Sequence, residues 1–189
     1  MREGPIWFQL CEAFRRAGYR EHGKPIYEHG KSIHILEHER FGVKRVPELS
    51  DDEFTPDSIA EIARPLVEGF LKKSSNSLTA AEHLSERNLW DFAISRVYYG
   101  FMYGALALLL LRGRFRADHG QIVGAFGKLL VSVEAPREFG RYIGDYLNMR
   151  MKADYCAHEV YTAQEAQEGI KRLRNFARFI ERNLGIRAV

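Results

Sequence analysis

The sequence predicts an all-α protein: an antiparallel bundle of four long helices plus a short one, preceded by a small N-terminal appendage. Apolar residues recur at helical spacing from residue 59 onward, no polar–apolar alternation interrupts them, and helix-start and helix-stop signals divide the pattern. The chain has 189 residues, of which 46% are hydrophobic and 28% are charged. A chain of this length buries a sizeable core without disulfides or a metal ion.

Composition also limits the surroundings in which the protein is expected to work. The two cysteines, Cys11 and Cys156, lie far apart and outside any C-x-x-C pair, so neither a disulfide framework nor a cysteine-built zinc site is expected. No secretory signal pattern opens the sequence. The longest uncharged stretch, residues 97–111, is shorter than the roughly 18 to 20 residues of a bilayer span. We therefore expect a buried helix there, no membrane partner and a cytoplasmic location.

Charge distinguishes a predicted N-terminal extension, residues 1–55, from the predicted helical bundle, residues 56–189. The extension holds 9 Lys/Arg against 10 Asp/Glu, whereas the bundle holds 19 against 15. An anionic partner would therefore be attracted to the bundle rather than to the extension.

Short elements are predicted within the extension. Residues 6–17 carry apolar side chains at helical spacing, and Gly18 follows as a stop signal. Residues 32–38 and 41–46 are β-like runs too close together for long helices, which favours a hairpin. The acidic, proline-bounded residues 47–56 are typical of a linker.

The first bundle helix is predicted in two pieces. Pro56 followed by Asp57 is typical of a helix N-terminus, where an acidic side chain meets the positive end of the helix dipole. Residues 59–63 are predicted to form one turn, after which Pro65 restarts a helix that runs to about Arg87.

Similar signals mark the later helices. Asn88 and Asp91 resemble a capping box before the second helix, Pro136 opens the fourth, and Thr162 and Glu165 form a capping box before the last. The predicted spans of these helices are residues 88–111, 118–132, 136–157 and 162–184.

Two motifs on these helices carry the most specific information. Their residues are Arg96, Tyr98 and Tyr99 on the second predicted helix and Arg150, Asp154 and Tyr155 on the fourth. Together with His119 and the capping box at Thr162, they resemble the HEPN family over about residues 59–186. More narrowly, the combination is similar to small prokaryotic HEPN proteins that are often paired with MNT-type minimal nucleotidyltransferases.

The resemblance implies a homodimer that acts on RNA as a metal-independent endoribonuclease, with no cofactor. In active members an Arg and a His at R-x4–6-H spacing form a composite site across the two-fold axis. An arginine stabilises the charge that grows on the scissile phosphate, and a second group takes the 2′-OH proton, which leaves a 2′,3′-cyclic phosphate. The implied catalytic residues here are Arg150, Asp154, Tyr155 and His158.

The histidine is where this sequence departs from the family pattern. Residues 155–157 are Tyr, Cys and Ala, and His158 lies one position beyond the permitted spacing. Tyr155 takes the nearest slot, but a phenol is a poor general base at neutral pH, although it can donate a hydrogen bond to a phosphate. Arg150 and Asp154, four positions apart, also fit an ordinary ion pair on a helix surface. A non-catalytic HEPN module that binds nucleotide, nucleic acid or a nucleotidyltransferase therefore stays open beside the nuclease.

Arg96, Tyr99 and His119 are candidate residues for binding nucleic acid or a nucleotide, and each has a structural alternative. Arg96 fits either a phosphate contact or a buried partner of Asp91 or Asp154. Tyr99 also fits a core or interface aromatic, and His119 also fits a helix cap.

The implied partners are a second copy of the chain, RNA and an MNT-type nucleotidyltransferase antitoxin, which would bind or modify the protein. Tyr155 is the candidate for modification by its position in the motif. A zinc hydrolase is a third interpretation, because His34, Glu37 and His38 spell H-x-x-E-H. That segment is strand-like, however, and in a strand His34 and Glu37 point to opposite faces, so no metal site is expected.

Overall fold

The computed structural model describes residues 11, 14–15, 18–28, 31–39, 42–47, 56–112, 119–132, 135–157 and 161–184. Within these residues a small sheet precedes five helices, which confirms the predicted all-α bundle with its N-terminal appendage. The strands are β1 (Arg20–Glu21), β2 (Ile26–Glu28), β3 (Lys31–His38) and β4 (Gly42–Pro47). The helices are α1 (Pro56–Glu86), α2 (Trp90–Leu110), α3 (His119–Ser132), α4 (Glu138–Tyr155) and α5 (Ala163–Leu184).

The sheet is antiparallel, with β3 at its centre. β4 pairs with one edge of β3, and these two strands are the predicted hairpin. β1 and β2 pair with the other edge, where Arg20 lies opposite Glu37 and Ile26 opposite Ile33. They are two and three residues long, too short for an alternating pattern to reveal them in the sequence.

Two expectations for the N-terminal part extend beyond the described residues. Of the predicted helix at residues 6–17, Cys11, Phe14 and Arg15 are described and are helical. Of the predicted linker, residues 48–55 lie outside the described part of the chain. The domain boundary after residue 55 stays a prediction, and buried Phe14 belongs to the same apolar cluster as the bundle helices.

α2 is the central helix of the bundle and packs against α1, α3, α4 and α5. By length and composition it could cross a membrane, but 72% of its most apolar window is buried inside the protein. An apolar helix that is surrounded by other helices is what a bundle core requires. The structure therefore agrees with the prediction of a buried helix at residues 97–111.

α1 is continuous and contains Pro65 in its interior, so the predicted break at this proline is wrong. Proline removes one backbone hydrogen bond from a helix interior. The neighbouring side chains of Ala63, Leu66 and Val67 are all buried in the core. Burial of this apolar face offsets the lost hydrogen bond, and the helix continues through the proline.

The predicted capping box at Asn88 is also wrong. Asn88 has a left-handed backbone with φ of 59° and ends α1 rather than starting α2. Its N–H donates to the carbonyl of Ser85 at 3.1 Å, and the N–H of Leu89 donates to that of Leu84 at 2.9 Å. This pair of bonds is a Schellman motif, in which asparagine tolerates the left-handed position better than most residues.

The predicted capping box before α5 is confirmed. The backbone N–H of Thr162 donates to Oε2 of Glu165 at 2.8 Å, and the backbone N–H of Glu165 donates to Oγ1 of Thr162 at 3.3 Å. The backbone N–H bond to Oε2, together with a 2.7 Å hydrogen bond that Oγ1 of Thr162 donates to the same oxygen, holds the pKa of Glu165 below its usual range. The adjacent N–H of Tyr161 donates to Oδ1 of Asp91 at 2.7 Å, which joins the start of α5 to the first turn of α2.

Two glycines allow α5 to lie close to α2. A Cβ added at Gly100 would lie 2.4 Å from Cδ2 of Leu173. A Cβ added at Gly104 would lie 2.7 Å from both Cδ1 of Ile180 and the ring of Phe176. Phe176 is fully buried, so its ring has little freedom to move away.

We predict that Gly104→Ala destabilises the bundle. The new methyl overpacks the contact with Phe176, which costs about 1–3 kcal/mol of the free energy of unfolding. Gly124→Ala is the matched control, because Gly124 is exposed on α3 and an added Cβ has no atom within 4 Å. The control should raise stability by about 0.5–1 kcal/mol. Urea denaturation followed by circular dichroism measures both, and a stable Gly104→Ala protein would contradict the close packing.

Candidate functional site

The two motifs meet where the last turn of α4 lies against α2. Oγ of Ser95, a buried residue of α2, donates a 2.6 Å hydrogen bond to Oδ1 of Asp154. The other carboxylate oxygen, Oδ2, lies 2.7 Å from Nε of Arg150, one turn earlier on α4. One carboxylate thus connects the two helices and fixes the position of the guanidinium.

The guanidinium of Arg150 contacts two tyrosine rings. Its Cζ lies 5.7 Å from the ring centre of Tyr99 and 5.5 Å from that of Tyr155, and the side chain is 17% exposed. Desolvation by burial disfavours the charged form, but Tyr99, Asp154 and Tyr155, which also forms a side-chain hydrogen bond with the guanidinium, together outweigh it and raise the pKa of Arg150 above its ordinary value. The group is therefore a permanent cation that remains accessible.

The contact between Arg150 and Asp154 is an ion pair rather than a two-bond fork. Nε of Arg150 is buried, and among the described residues no acceptor lies in line with its N–H. Nη1 contacts the sulfur of Met151 at 3.4 Å. Because a guanidinium carries five N–H groups, this arrangement leaves donors for an anionic ligand.

Arg96 of α2 contacts the same ring of Tyr99 that Arg150 contacts. Its Cζ is 4.8 Å from that ring centre, so Tyr99 contacts two guanidiniums. Arg96 is exposed, and the expectation that it is a buried partner of Asp91 or Asp154 is wrong. Those carboxylates instead accept from a backbone N–H and from a serine hydroxyl. The phosphate-contact alternative for Arg96 stays a prediction.

The two adjacent tyrosines of the motif differ in environment. Tyr98 is fully buried, its hydroxyl lies 3.6 Å from the sulfur of Met102, and burial raises its pKa to about 12. Tyr98 is therefore a core side chain, as its place in the apolar stripe indicates. Tyr99 is half-buried and turns its ring towards Arg96 and Arg150.

The side chains of the two candidate histidines lie outside the described residues. His119 is the first residue of α3, but its side chain lies outside the described residues. His158 also lies outside them, in the gap between residues 157 and 161. Ser95 was not predicted as a site residue, and its position immediately before Arg96 was the one available sequence signal.

In the H-x-x-E-H motif of the zinc-peptidase interpretation, His34 and Glu37 contact different partners. His34 and Glu37 occupy β3, where His34 contacts Glu21 and Glu37 lies 3.1 Å from His22. Across the described part of the chain, no group of three or more His, Cys, Asp or Glu side chains could hold a metal ion.

Comparison with known proteins finds similarity over the helical bundle. The family model described as HEPN domain matches residues 67–183. Two Methanocaldococcus jannaschii proteins are similar: "Putative toxin MJ0142", 33% identical over 53% of this chain and 69% of that protein, and "Putative toxin MJ0605", 30% identical over 64% and 90%. "UPF0332 protein glr0978" of Gloeobacter violaceus is 28% identical over 53% of this chain and 81% of that protein.

We predict that two substitutions of Asp154 differ in stability. Asp154→Asn keeps an oxygen that accepts from Ser95, whereas Asp154→Ala leaves the buried hydroxyl without this acceptor. The alanine variant should lose about 1–3 kcal/mol of the free energy of unfolding, and the asparagine variant less. Urea denaturation compares them, and equal losses would mean that the Ser95–Asp154 bond contributes nothing to stability.

Proposed function

Since the chain belongs to the HEPN domain family, we propose that it is a toxin-like endoribonuclease that cleaves RNA without a metal ion. The observation that carries this proposal is the fixed guanidinium of Arg150, which Asp154 holds beside the exposed ring of Tyr155. Two relatives named as putative toxins support the toxin-like role.

Arg150 supplies the electrostatic part of the reaction. The 2′-oxygen forms a bond to phosphorus while the bond to the 5′-oxygen breaks, and negative charge grows on the non-bridging oxygens. A guanidinium directed at those oxygens stabilises the transition state, and loss of one such group costs about 10²–10³ in rate. The 2′-OH gives its proton to a base and the 5′-oxygen takes up a proton, which yields a 2′,3′-cyclic phosphate and a 5′-hydroxyl.

His158 is the proposed proton acceptor. It follows the last residue of α4 by three positions, outside the described residues. The carboxylate of Asp154 is engaged by Ser95 and Arg150, so it acts as a positioning residue. The phenol of Tyr155, 70% exposed, is available to donate a hydrogen bond to the phosphate.

A second copy of the chain is proposed to complete the site. Large apolar side chains stand exposed beside the motif residues: Phe92, one turn before Arg96, is 63% exposed, and Met151, next to Arg150, is 46% exposed. Exposed apolar side chains around a functional site are typical of a protein interface. Two-fold pairing through α2 and α4 would bring two guanidiniums into one cleft.

An MNT-type nucleotidyltransferase is the proposed regulator, and Tyr155 is its proposed target. The phenol is exposed and lies within 5.5 Å of the guanidinium of Arg150, measured from ring centre to Cζ. A nucleotidyl group on this oxygen would place a phosphate next to Arg150. It would therefore occupy the position that the RNA phosphate needs.

A non-catalytic module that binds nucleic acid, a nucleotide or the same partner is the second candidate. The observation that favours it is the engagement of Asp154 on both oxygens, because no carboxylate within the described site is then free to act as a base. RNA that is bound but not cleaved would identify this function.

We predict that purified protein cleaves total RNA in the presence of EDTA and that Arg150→Ala reduces the rate by about 10²–10³, because the phosphate charge loses its counter-ion. Arg141→Ala is the matched control. Arg141 is exposed on the same helix and also lies over a tyrosine ring, at 5.7 Å from Tyr142. Gel electrophoresis and end-group analysis measure the rate and the cyclic phosphate.

The controls separate the two candidate functions. Equal cleavage by wild type, Arg150→Ala and Arg141→Ala would point to a contaminating nuclease and exclude Arg150. No cleavage by any of them, with RNA still bound, would favour the non-catalytic module. His158→Ala then tests the proton acceptor, since loss of a general base costs about 10²–10⁴.

We predict that Phe92→Asp produces monomers and abolishes cleavage, because a charge at a two-fold contact faces its own copy. Val131→Asp is the control, since Val131 is 58% exposed on α3 and takes no part in the motifs. Light scattering coupled to size-exclusion chromatography gives the mass of each variant. A dimeric, active Phe92→Asp protein would exclude pairing through this face.

A further inference from the structure

A row of aromatic rings and cations extends from the candidate site along α2 to α1. Tyr99 stacks on Tyr103 at 6.0 Å between ring centres, and Tyr103 stacks on Phe70 of α1 at 6.1 Å. At the far end, Nζ of Lys73 lies 5.4 Å from the ring centre of Tyr103 and 5.8 Å from that of Phe70. The cation–aromatic row is defined here as Phe70, Lys73, Arg96, Tyr99, Tyr103 and Arg150.

This row carries an excess of positive charge. Arg150 faces Asp154, but within the described part of the chain neither Lys73 nor Arg96 forms an ion pair with a carboxylate. Burial raises the pKa of Tyr103, so its phenol stays neutral and does not offset these cations. Cations beside stacked rings are the combination that binds single-stranded nucleic acid, whose phosphates and bases are both accessible.

Two arginines on α5, Arg172 and Arg174, differ from these cations because each has a carboxylate partner. Nε of Arg172 lies 2.8 Å from Oε1 of Glu168, and Nη2 of Arg174 lies 2.6 Å from Oε1 of Glu82. The charges of these arginines are compensated within the fold. A polyanion is therefore attracted more strongly to the cation–aromatic row than to this part of α5.

We propose that Lys73 is a second phosphate site, which binds a nucleotide of the same single-stranded RNA whose scissile phosphate lies at Arg150, an inference that rests on the proposed function. The rings of Phe70 and Tyr103 are positioning residues, because their contact with the ammonium holds it over the row. Lys73 itself contacts the phosphate. The strand then crosses from α4 over α2 to α1.

A short 2′-O-methyl oligouridylate with a 5′-fluorescein label tests the second phosphate site, because it lacks the attacking 2′-OH and cannot be cleaved. Fluorescence anisotropy at several salt concentrations gives the slope of log Kd against log salt. Loss of one phosphate contact to a single strand reduces this slope by about 0.7. We expect that reduction, with weaker binding, for Lys73→Ala. Lys72→Ala removes the same charge from the neighbouring exposed position and should leave the slope unchanged.

Two variants of Tyr103 test the positioning role. Tyr103→Phe keeps a ring beneath the ammonium and should keep the wild-type slope. Tyr103→Leu removes the ring and should reproduce the loss seen with Lys73→Ala. Thermal denaturation of each variant confirms that a loss of binding does not arise from unfolding.

The outcomes separate this inference from the proposed function. Equal slopes for Lys73→Ala and Lys72→Ala overturn the second phosphate site, even where EDTA-resistant cleavage persists. A reduction confined to Lys73→Ala supports the site, even where no variant cleaves RNA and the nuclease proposal fails. A change of mass for Lys73→Ala in light scattering, with RNA binding intact, would assign this face to a protein contact and overturn the inference.

Discussion

The burial of α2 against four other helices is the constraint on which both the fold and the candidate site depend. Glycines at 100 and 104 let α5 approach one face, and Oγ of Ser74 donates a 2.8 Å hydrogen bond to the carbonyl oxygen of Gly100 from α1. Beside the buried Ser95, the exposed Arg96 and the half-buried Tyr99 lie where this packing is incomplete. The last turn of α4 meets the helix at that place, so the site forms where the central helix emerges from the core.

Asp154 holds the guanidinium of Arg150 in place and still leaves N–H donors of that guanidinium available to a ligand. A buried guanidinium needs a counter-charge, yet a two-bond carboxylate fork would use the donors that a phosphate requires. Here one carboxylate oxygen accepts from Ser95, and the other faces only Nε of Arg150. The remaining attraction comes from the ring of Tyr99, which stabilises the cation without taking an N–H donor, and from Tyr155, which contacts it through its ring and through one side-chain hydrogen bond.

The features that could be predicted from the sequence are mostly local ones. The capping box at Thr162 and Glu165 and the Arg150–Asp154 pair span three and four positions, so helical geometry alone brings their atoms together. The Ser95–Asp154 bond joins residues 59 positions apart, and no spacing rule reveals it. The capping-box prediction at Asn88 was wrong for another reason. Asparagine is favoured both at a helix start and at a left-handed helix end, and here hydrogen bonds to carbonyls of the preceding turn select the helix end. At Pro65 tertiary burial outweighed a local rule, and at residues 20–28 the strands were too short to leave a pattern.

The residues of the site differ in how far they are exposed to solvent, and this difference affects how rigidly each is held. Ser95 is buried, Arg150 is partly covered and Tyr155 is mostly exposed. The inner residues are therefore held by packing, and in the proposed reaction this preorganises the positive charge that the phosphate would meet. Tyr155, in contrast, contacts mainly the guanidinium of Arg150 within the described chain. Its ring is therefore accessible to a base, a phosphate or a second subunit. A cation held in place behind an exposed aromatic ring is therefore consistent with the proposed RNA ligand, whose phosphate backbone is constant and whose bases vary.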